Sequence, residues 1–250
     1  MTPEQVVDAL RASGCVFAEE EAALLLAAPG ALDELLARRI AGEPLEQVLG
    51  WAEFDGLRIG VVPGVFVPRR RSELLVRLAA EGLDAGAVAV DLCCGSGALG
   101  AALRARVPAI ELHACDLDPI AVECAGSNLL GASVYRGDLW SALPTGLRGR
   151  VDVVLANAPY VPTDGIALMP SEARDHEPRT ALDGGADGLA IHRRIAAEAS
   201  DWLAWGGRLL IEVAPAQVAR SFQFFRAAGL RAAVHTDDDL DATVVIATAG

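Results

Sequence analysis

The stretch AVAVDLCCGSGALG, residues 87–100, decides the fold. Its first half is an apolar run typical of a buried strand, and its second half spells G-x-G-x-x-G from Gly95 to Gly100. Glycines permit a sharp turn and a close approach of ligand to backbone, at the N-terminus of the helix that follows. The glycines alone would suit a dinucleotide equally well, and the remaining alternative is a tight turn that binds no ligand. Asp91 is more specific, because a carboxylate four residues before Gly95 repels a pyrophosphate and suits a cationic ligand.

Strand-like and helix-like segments alternate from residue 87 to residue 248. Seven such strands, most of them separated by helices, predict an α/β fold with a doubly wound, mainly parallel, Rossmann-like sheet. Only the short acidic turn DDDLD, residues 237–241, separates the last two strands. A tight turn permits antiparallel pairing alone, so we expect the last strand to be antiparallel, at the end of the sheet. Residues 158 to about 186 are predicted to form a long polar loop.

The region before the sheet is different. Residues 4 to about 42 show short helical patterns, and the Gly- and Pro-containing segment that follows is typical of a β-hairpin or an extended connector. We therefore divide the chain into a helical domain over 1–50, a β-hairpin linker over 51–70 and a catalytic domain over 71–250.

Composition narrows the possible partners. The formal net charge is -13 and all 21 basic residues are Arg. Nucleic-acid binding relies on basic side chains that release counterions, so nucleic acid is not an expected direct partner. The chain shows no apolar run of the ~18 residues that a membrane span needs and no secretory signal pattern. The five Cys lack zinc-ligand spacing. We expect a cytoplasmic protein with no metal site and no membrane partner.

Carboxylates also follow the next two strands. Asp116 ends the second strand, where a carboxylate can accept both hydroxyls of a ribose, although NAD carries the same ribose. Asp138 follows the third strand and is placed to accept from an adenine amine. With Asp91, the two carboxylates fit a ligand that has a cationic end, a diol and an adenine, which describes S-adenosylmethionine. The residues predicted to contact this ligand are Asp91, Cys93, Gly95, Gly97, Asp116, Leu117, Asp138, Leu139 and Asn157.

The segment VVLANAPYVP, residues 153–162, leaves a buried strand directly into an amide, a proline and an aromatic ring. Because parallel strands end at one edge of the sheet, Asn157 should face the same crevice. Its carboxamide oxygen and the Ala158 carbonyl, fixed by Pro159, could grip a planar NH2 group, and Tyr160 could lie against the face of that group. A nicotinamide-dependent dehydrogenase would leave this loop unexplained.

Together these motifs resemble the S-adenosylmethionine-dependent methyltransferases with an N-P-P-Y loop, and more narrowly the HemK-type protein-(glutamine-N5) methyltransferases. The closer resemblance rests on residues 42–59, 64–75, 157–162 and 176–195. It implies a class I methyltransferase that converts S-adenosylmethionine to S-adenosylhomocysteine and methylates a glutamine of a peptide chain release factor, in its Gly-Gly-Gln loop. It also implies substrate recognition by the helical domain and by Arg69, Glu177 and Arg179. The alternatives are a glutamine of a ribosomal or other protein, and an exocyclic amine of a nucleic-acid base.

The chain departs from the family pattern in three places. Ala158 replaces the usual Pro, which leaves the carbonyl of the amide clamp in place. The family's P-R-P-x-T-E reads Pro68-Arg69-Arg70-Arg71-Ser72-Glu73, which adds two positive charges. The helical N-terminal region is shorter than in the family, so the identity of the protein substrate stays open.

Overall fold

The computed structural model describes residues 1–250. Four short helices and a β-hairpin precede the main sheet, as the sequence predicts. Thr2 and Gln5 begin the first helix with a reciprocal capping box. The helices share a small apolar core around Leu10, Leu25 and Leu36. These elements are α1 (Pro3–Ala12), α2 (Ala18–Ala27), α3 (Leu32–Ile40), α4 (Leu45–Leu49), β1 (Trp51–Phe54) and β2 (Leu57–Gly60).

The main sheet has seven strands: β3 (Val88–Leu92), β4 (Glu111–Asp116), β5 (Ser133–Arg136), β6 (Val151–Ala156), β7 (Leu203–Glu212), β8 (Arg231–Asp237) and β9 (Ala242–Thr248). Their spatial order is β5-β4-β3-β6-β7-β9-β8. β9 alone runs opposite to the other six strands, which confirms the predicted fold class and the antiparallel last strand. The antiparallel strand is not at the edge, however. It lies between β7 and β8, because its tight turn pairs it with β8 while its other side pairs with β7.

Alternate residues of the central strands face opposite sides of the sheet, as strand geometry requires. One side packs Val90 and Val154 with Trp140 and Trp202, and the other packs Ala89 and Val153 with apolar residues of the helices opposite. The helices from residue 73 onward are α5 (Glu73–Ala80), α6 (Ala98–Arg106), α7 (Pro119–Asn128), α8 (Ser171–His176), α9 (Arg179–Leu182), α10 (Ala190–Trp202) and α11 (Val218–Ala227).

The segment from 158 to 186 is more ordered than the polar loop that the sequence predicts. It contains a 3-10 helix over Thr163–Leu168 and the short helices α8 and α9. A parallel bridge joins Val161 to Asp183. Each helix is at most six residues long, too short for a helical hydrophobic period to show in the sequence. None of the helices has the length and apolar character required to cross a membrane.

Candidate active site

A cleft runs along the edge of the sheet where β3, β4, β5 and β6 end, the position expected for ligands in this architecture. The connector after β2 and the segment around Pro178 close its other side. The following residues line it: Phe54, Gly64, Val65, Phe66, Pro68, Ser72, Cys93, Cys94, Gly95, Ser96, Ala98, Leu99, Cys115, Asp116, Leu117, Asp118, Pro119, Ala121, Gly137, Asp138, Leu139, Asn157, Pro159, Pro178, Thr180, Ala181, Ile191 and Arg194.

Asp91 lies beneath the glycine loop and not in the wall of the cleft. It is fully buried; Oδ2 accepts from the backbone N–H of Gly100 at 2.9 Å, and Oδ1 has no partner. Burial raises the pKa of Asp91 to about 7. Gly97 is also outside the wall, and its φ is +79°. A Cβ there would lie 2.9 Å from Leu129, so this glycine is required for the packing of the loop on α7.

Asp116, at the end of β4, is in the cleft wall with both oxygens already oriented. Oδ2 accepts from Gly95 N–H at 2.9 Å and Oδ1 accepts from Asp118 N–H at 3.0 Å. A carboxylate oxygen has two lone pairs, so each oxygen can accept one further hydrogen bond. Burial raises the pKa of Asp116. Cys93, at a φ of +57°, and Leu117, which is 60% exposed, line the cleft on either side.

Asp138 and Leu139 line the cleft beyond β5. The Asp138 Oδ2 accepts from the Arg194 guanidinium of α10 at 2.6 Å, and both side chains are about half exposed. Leu139 is buried and has a φ of +51°. The sequence did not point to Arg194, because nothing in a helix pattern shows which strand end a basic residue will face.

Asn157 follows β6 and is in the cleft wall, as predicted. Its Nδ2 donates to Ser72 Oγ at 3.0 Å, and its Oδ1 has no partner within the protein. Ala158 is buried, and its carbonyl accepts no hydrogen bond from another group of the chain. Pro159 also lines the cleft. Ala158 itself is not in the cleft wall, so of these two consecutive residues with unpartnered acceptors only Asn157 lines the cleft.

Tyr160 is not in the cleft wall. Its hydroxyl donates to Glu212 at 2.9 Å, and its ring lies 6.5 Å from that of His192. Burial, the largest cause, raises the pKa of Tyr160, and the Glu212 charge raises it further. His192 is fully buried with neither ring nitrogen hydrogen-bonded, and burial lowers its pKa to about 4, so the ring is neutral at pH 7. The Ala158 carbonyl is near this ring but not in hydrogen-bond geometry, and it partly opposes the pKa shift.

Glu212 is the main polar residue that the sequence analysis missed. It ends β7, is 2% exposed, and accepts from Tyr160 at 2.9 Å and from Ser72 Oγ at 2.6 Å. Arg71 Nε donates to it at 3.1 Å. The signal that identified Asp116 and Asn157, a polar residue where a buried strand ends, was also present here in the run LLIE.

The glycine-rich segment 183–188 packs on the backbone of the Asn157–Val161 loop. A Cβ on Gly188 would overlap the Tyr160 carbonyl oxygen and would lie 2.5 Å from Gln217 Nε2. Gln217 Nε2 donates to that same Tyr160 carbonyl at 2.9 Å. The position of the loop therefore depends on a close backbone contact that only glycine permits.

The three residues predicted to bind substrate do not line the cleft. Glu177 has a fully buried side chain, and its Oε1 accepts from Arg69 at 2.6 Å and from Val67 N–H at 3.2 Å. Burial raises the pKa of Glu177. The ion pair joins the connector to the segment before α9. Arg179 is 68% exposed and 3.4 Å from Asp183, so it alone of the three is free to reach a partner.

A doubly wound sheet with this strand order, a glycine loop and carboxylates along one edge defines a class I S-adenosylmethionine-dependent methyltransferase. A methyltransferase from Pyrococcus furiosus has this fold, with a TM-score of 0.60 and 17% identity over 87% of this chain and 99% of its own. The family described as "Methyltransferase small domain" matches residues 57–169.

Two curated relatives indicate which family of methyltransferases the chain belongs to. A release factor glutamine methyltransferase from Mycolicibacterium smegmatis is 41% identical over 200 residues, 78% of this chain and 70% of its own. A 4-amino-L-phenylalanine/4-methylamino-L-phenylalanine methyltransferase from Streptomyces pristinaespiralis is 36% identical over 223 residues, 81% of this chain and 76% of its own. The chain belongs to the family of the release factor glutamine methyltransferases, which confirms the resemblance seen in its sequence and implies use of S-adenosylmethionine.

Proposed function

We propose that this enzyme transfers the methyl group of S-adenosylmethionine to the side-chain amide nitrogen of a glutamine in a peptide chain release factor. One observation carries the proposal. Asn157 lines the cleft and its Oδ1 has no partner within the chain; the carbonyl of the next residue, Ala158, also accepts no hydrogen bond, although Ala158 is buried and outside the cleft wall. Two such acceptors match the two N–H groups of a primary amide. Several relatives that carry the name release factor glutamine methyltransferase support the choice of substrate.

The residues along the cleft fit the methyl donor. Asp116 has one free acceptor position on each oxygen for the two ribose hydroxyls. Asp138 keeps its second oxygen for the adenine amine, beside the apolar Leu139, and Arg194 holds the first. When bound, the donor supplies an electrophilic methyl carbon and leaves as S-adenosylhomocysteine. Asp91 would act through its hydrogen bond to Gly100, which fixes the glycine loop, and not by direct contact.

The amide clamp addresses the main chemical difficulty, which is that an amide nitrogen is a weak nucleophile. Asn157 and the Ala158 carbonyl would hold both N–H groups, direct the nitrogen lone pair along the cleft and stabilise the positive charge that develops on nitrogen. Holding the reacting atoms at ~3–3.5 Å removes several kcal/mol of the barrier. The methylated nitrogen loses its proton readily, so the reaction requires no strong base. Pro159 excludes water, and Tyr160 holds the loop through Glu212.

Substrate recognition follows from the surface around the cleft. The helical domain over residues 1–50 would contact the protein substrate, and the exposed Arg179 is placed to assist. Arg69 and Glu177 would contribute indirectly, since the ion pair between Arg69 and the buried Glu177 fixes the connector that forms one wall.

A second candidate substrate is a small aromatic amine. The support is the 36% identity, over 81% of this chain, to the relative named as a 4-amino-L-phenylalanine/4-methylamino-L-phenylalanine methyltransferase. An arylamine also presents a planar NH2 with a lone pair delocalised into a π system, which the same two acceptors could hold.

The deciding experiment incubates the enzyme and labelled S-adenosylmethionine separately with a bacterial release factor, 4-amino-phenylalanine, and total RNA and DNA. Mass spectrometry of tryptic peptides should find one added methyl group on the glutamine of the Gly-Gly-Gln loop. A release factor with that glutamine changed to alanine is the control and should remain unlabelled. Label on the arylamine or on nucleic acid, with none on the release factor, would overturn the proposal in favour of that substrate.

A further inference from the structure

We propose that Ser72 and Glu212 are positioning residues that decide which end of the Asn157 carboxamide faces the cleft. The inference rests on the proposed role of Asn157 as an acceptor. A carboxamide has nearly the same shape after a half-turn, but its oxygen accepts hydrogen bonds while its nitrogen donates them. Only the orientation with oxygen toward the cleft can hold the NH2 of a substrate.

Glu212 fixes the direction of every hydrogen bond in this network. A carboxylate can only accept, and Glu212 receives three donors while almost completely buried. Its Oε1 accepts from Arg71 Nε and from the Tyr160 hydroxyl, at 3.1 and 2.9 Å. Its Oε2 accepts from Ser72 Oγ at 2.6 Å. The hydroxyl proton of Ser72 is therefore committed to Glu212.

The direction of the Ser72 hydroxyl in turn determines which atom of the Asn157 carboxamide faces Ser72. With its proton on the Glu212 side, Ser72 Oγ presents only lone pairs to Asn157, and the group at 3.0 Å must be the Nδ2 donor. The half-turned carboxamide would place Oδ1 against the Ser72 oxygen with no proton between them. The Oδ1 atom is consequently held away from Ser72, on the side where the protein provides no partner.

The same carboxylate fixes both ends of the loop. Tyr160 binds Oε1 directly, and Asn157 binds Oε2 through Ser72. Ala158, with the second acceptor of the clamp, lies between these two attachment points. Arg71 balances the buried charge of Glu212, which gives one of the added arginines a structural role.

The test compares Ser72→Ala, Ser72→Thr, Glu212→Gln and the surface control Ser127→Ala. Ser127 is exposed on α7, with its hydroxyl bonded to its own helix at Glu123. Removing the Ser72 hydroxyl should lower kcat about 10- to 100-fold and leave the Kd of S-adenosylhomocysteine within about twofold, since the effect acts through one acceptor of the transition state. Ser72→Thr retains the hydroxyl and should restore most of kcat, and the control should match the wild type.

Glu212→Gln should not only weaken the hydrogen-bond network but also reverse the direction of its hydrogen bonds. Two donors meet at the Oε1 position and one at Oε2, so the glutamine NH2 group will occupy the Oε2 position. It then donates to Ser72, whose own proton turns to Asn157 and favours the half-turned carboxamide. The kcat of Glu212→Gln should fall at least as far as that of Ser72→Ala. The variant that carries both changes should have a kcat no lower than that of Glu212→Gln alone, since both changes act on the same hydrogen-bond network.

A substrate-independent measurement separates this inference from the proposed function. Hydrogen exchange of the Asn157 side-chain NH2, followed by NMR, should show one protected proton in the wild type and none in Ser72→Ala. If the wild type shows this asymmetry but methylates no release factor, the proposed substrate fails and the orientation stands. Equal exchange of both protons in the wild type, or full kcat in Ser72→Ala, would overturn the inference.

Discussion

Asp116 provides the sharpest test of the donor site. Each of its oxygens accepts one backbone N–H and has one acceptor position left, so the side chain can bind two ribose hydroxyls. A hydrogen bond to a charged group contributes about 1.5–3 kcal/mol net, so Asp116→Ala should cost about 3–6 kcal/mol of donor binding. At ~1.4 kcal/mol per tenfold change, the Kd should rise by about 100- to 10,000-fold.

Isothermal titration calorimetry with S-adenosylmethionine and S-adenosylhomocysteine measures this directly. Both ligands carry the same ribose, so both should weaken equally, while kcat at saturating donor should change little. Asp84→Ala, which removes an exposed carboxylate that does not line the cleft, is the matched control and should bind like the wild type. A rise in Kd of less than about threefold would refute the assignment of the diol to Asp116, as would weakening confined to S-adenosylmethionine.

Three further changes probe the loop and its support. Asn157→Ala should lower kcat about 100- to 1,000-fold, as loss of one preorganised transition-state contact does, and should weaken donor binding far less. A variant whose donor affinity falls as far as its kcat would contradict the clamp. Gly188→Ala should lower both Tm and kcat, because a Cβ would overlap the Tyr160 carbonyl and because a non-glycine residue at a φ of +72° costs about 1–2 kcal/mol. The control is Gly146→Ala, where a Cβ would meet no other atom, and it should change neither quantity. The pKa of Asp91 is about 7 in the folded protein and 3.8 in the unfolded chain. As the pH rises from 3.8 to 7, the free energy of unfolding of the wild type should therefore fall relative to that of Asp91→Asn, by on the order of 4 kcal/mol. Urea unfolding at several pH values measures this difference, and a difference that is constant with pH would disprove the burial argument.

The fold was predictable because its signals are local and repeated. Strand-like segments, several of them apolar runs, alternate with helical ones, and the turn at 237–241 is too short for a parallel crossover. The position of β9 inside the sheet was not predictable from that turn, since a tight turn fixes the pairing of two strands and not which of them meets the rest. The helices α8 and α9 were missed because each is shorter than two helical turns.

A position along the cleft could be predicted for residues that directly follow strands. Asp116, Asp138 and Asn157 all lie along the cleft, because the carboxyl ends of parallel strands share one edge. The burial of Glu177 against Arg69 could not be deduced, since these residues are 108 positions apart in the chain. The orientation of Tyr160 toward Glu212, away from the cleft, likewise depends on a contact between distant strand ends.

The position of β9 between β7 and β8 also constrains how the protein folds. The chain makes β8 before β9, yet β8 has no other neighbour in the sheet, so it has nothing to pair with until β9 exists. β8 can therefore join the sheet only through β9, either as part of a hairpin or after β9 has paired with β7. Until β9 pairs with β7, the outer edge of β7 is open to pairing with another molecule, which favours aggregation.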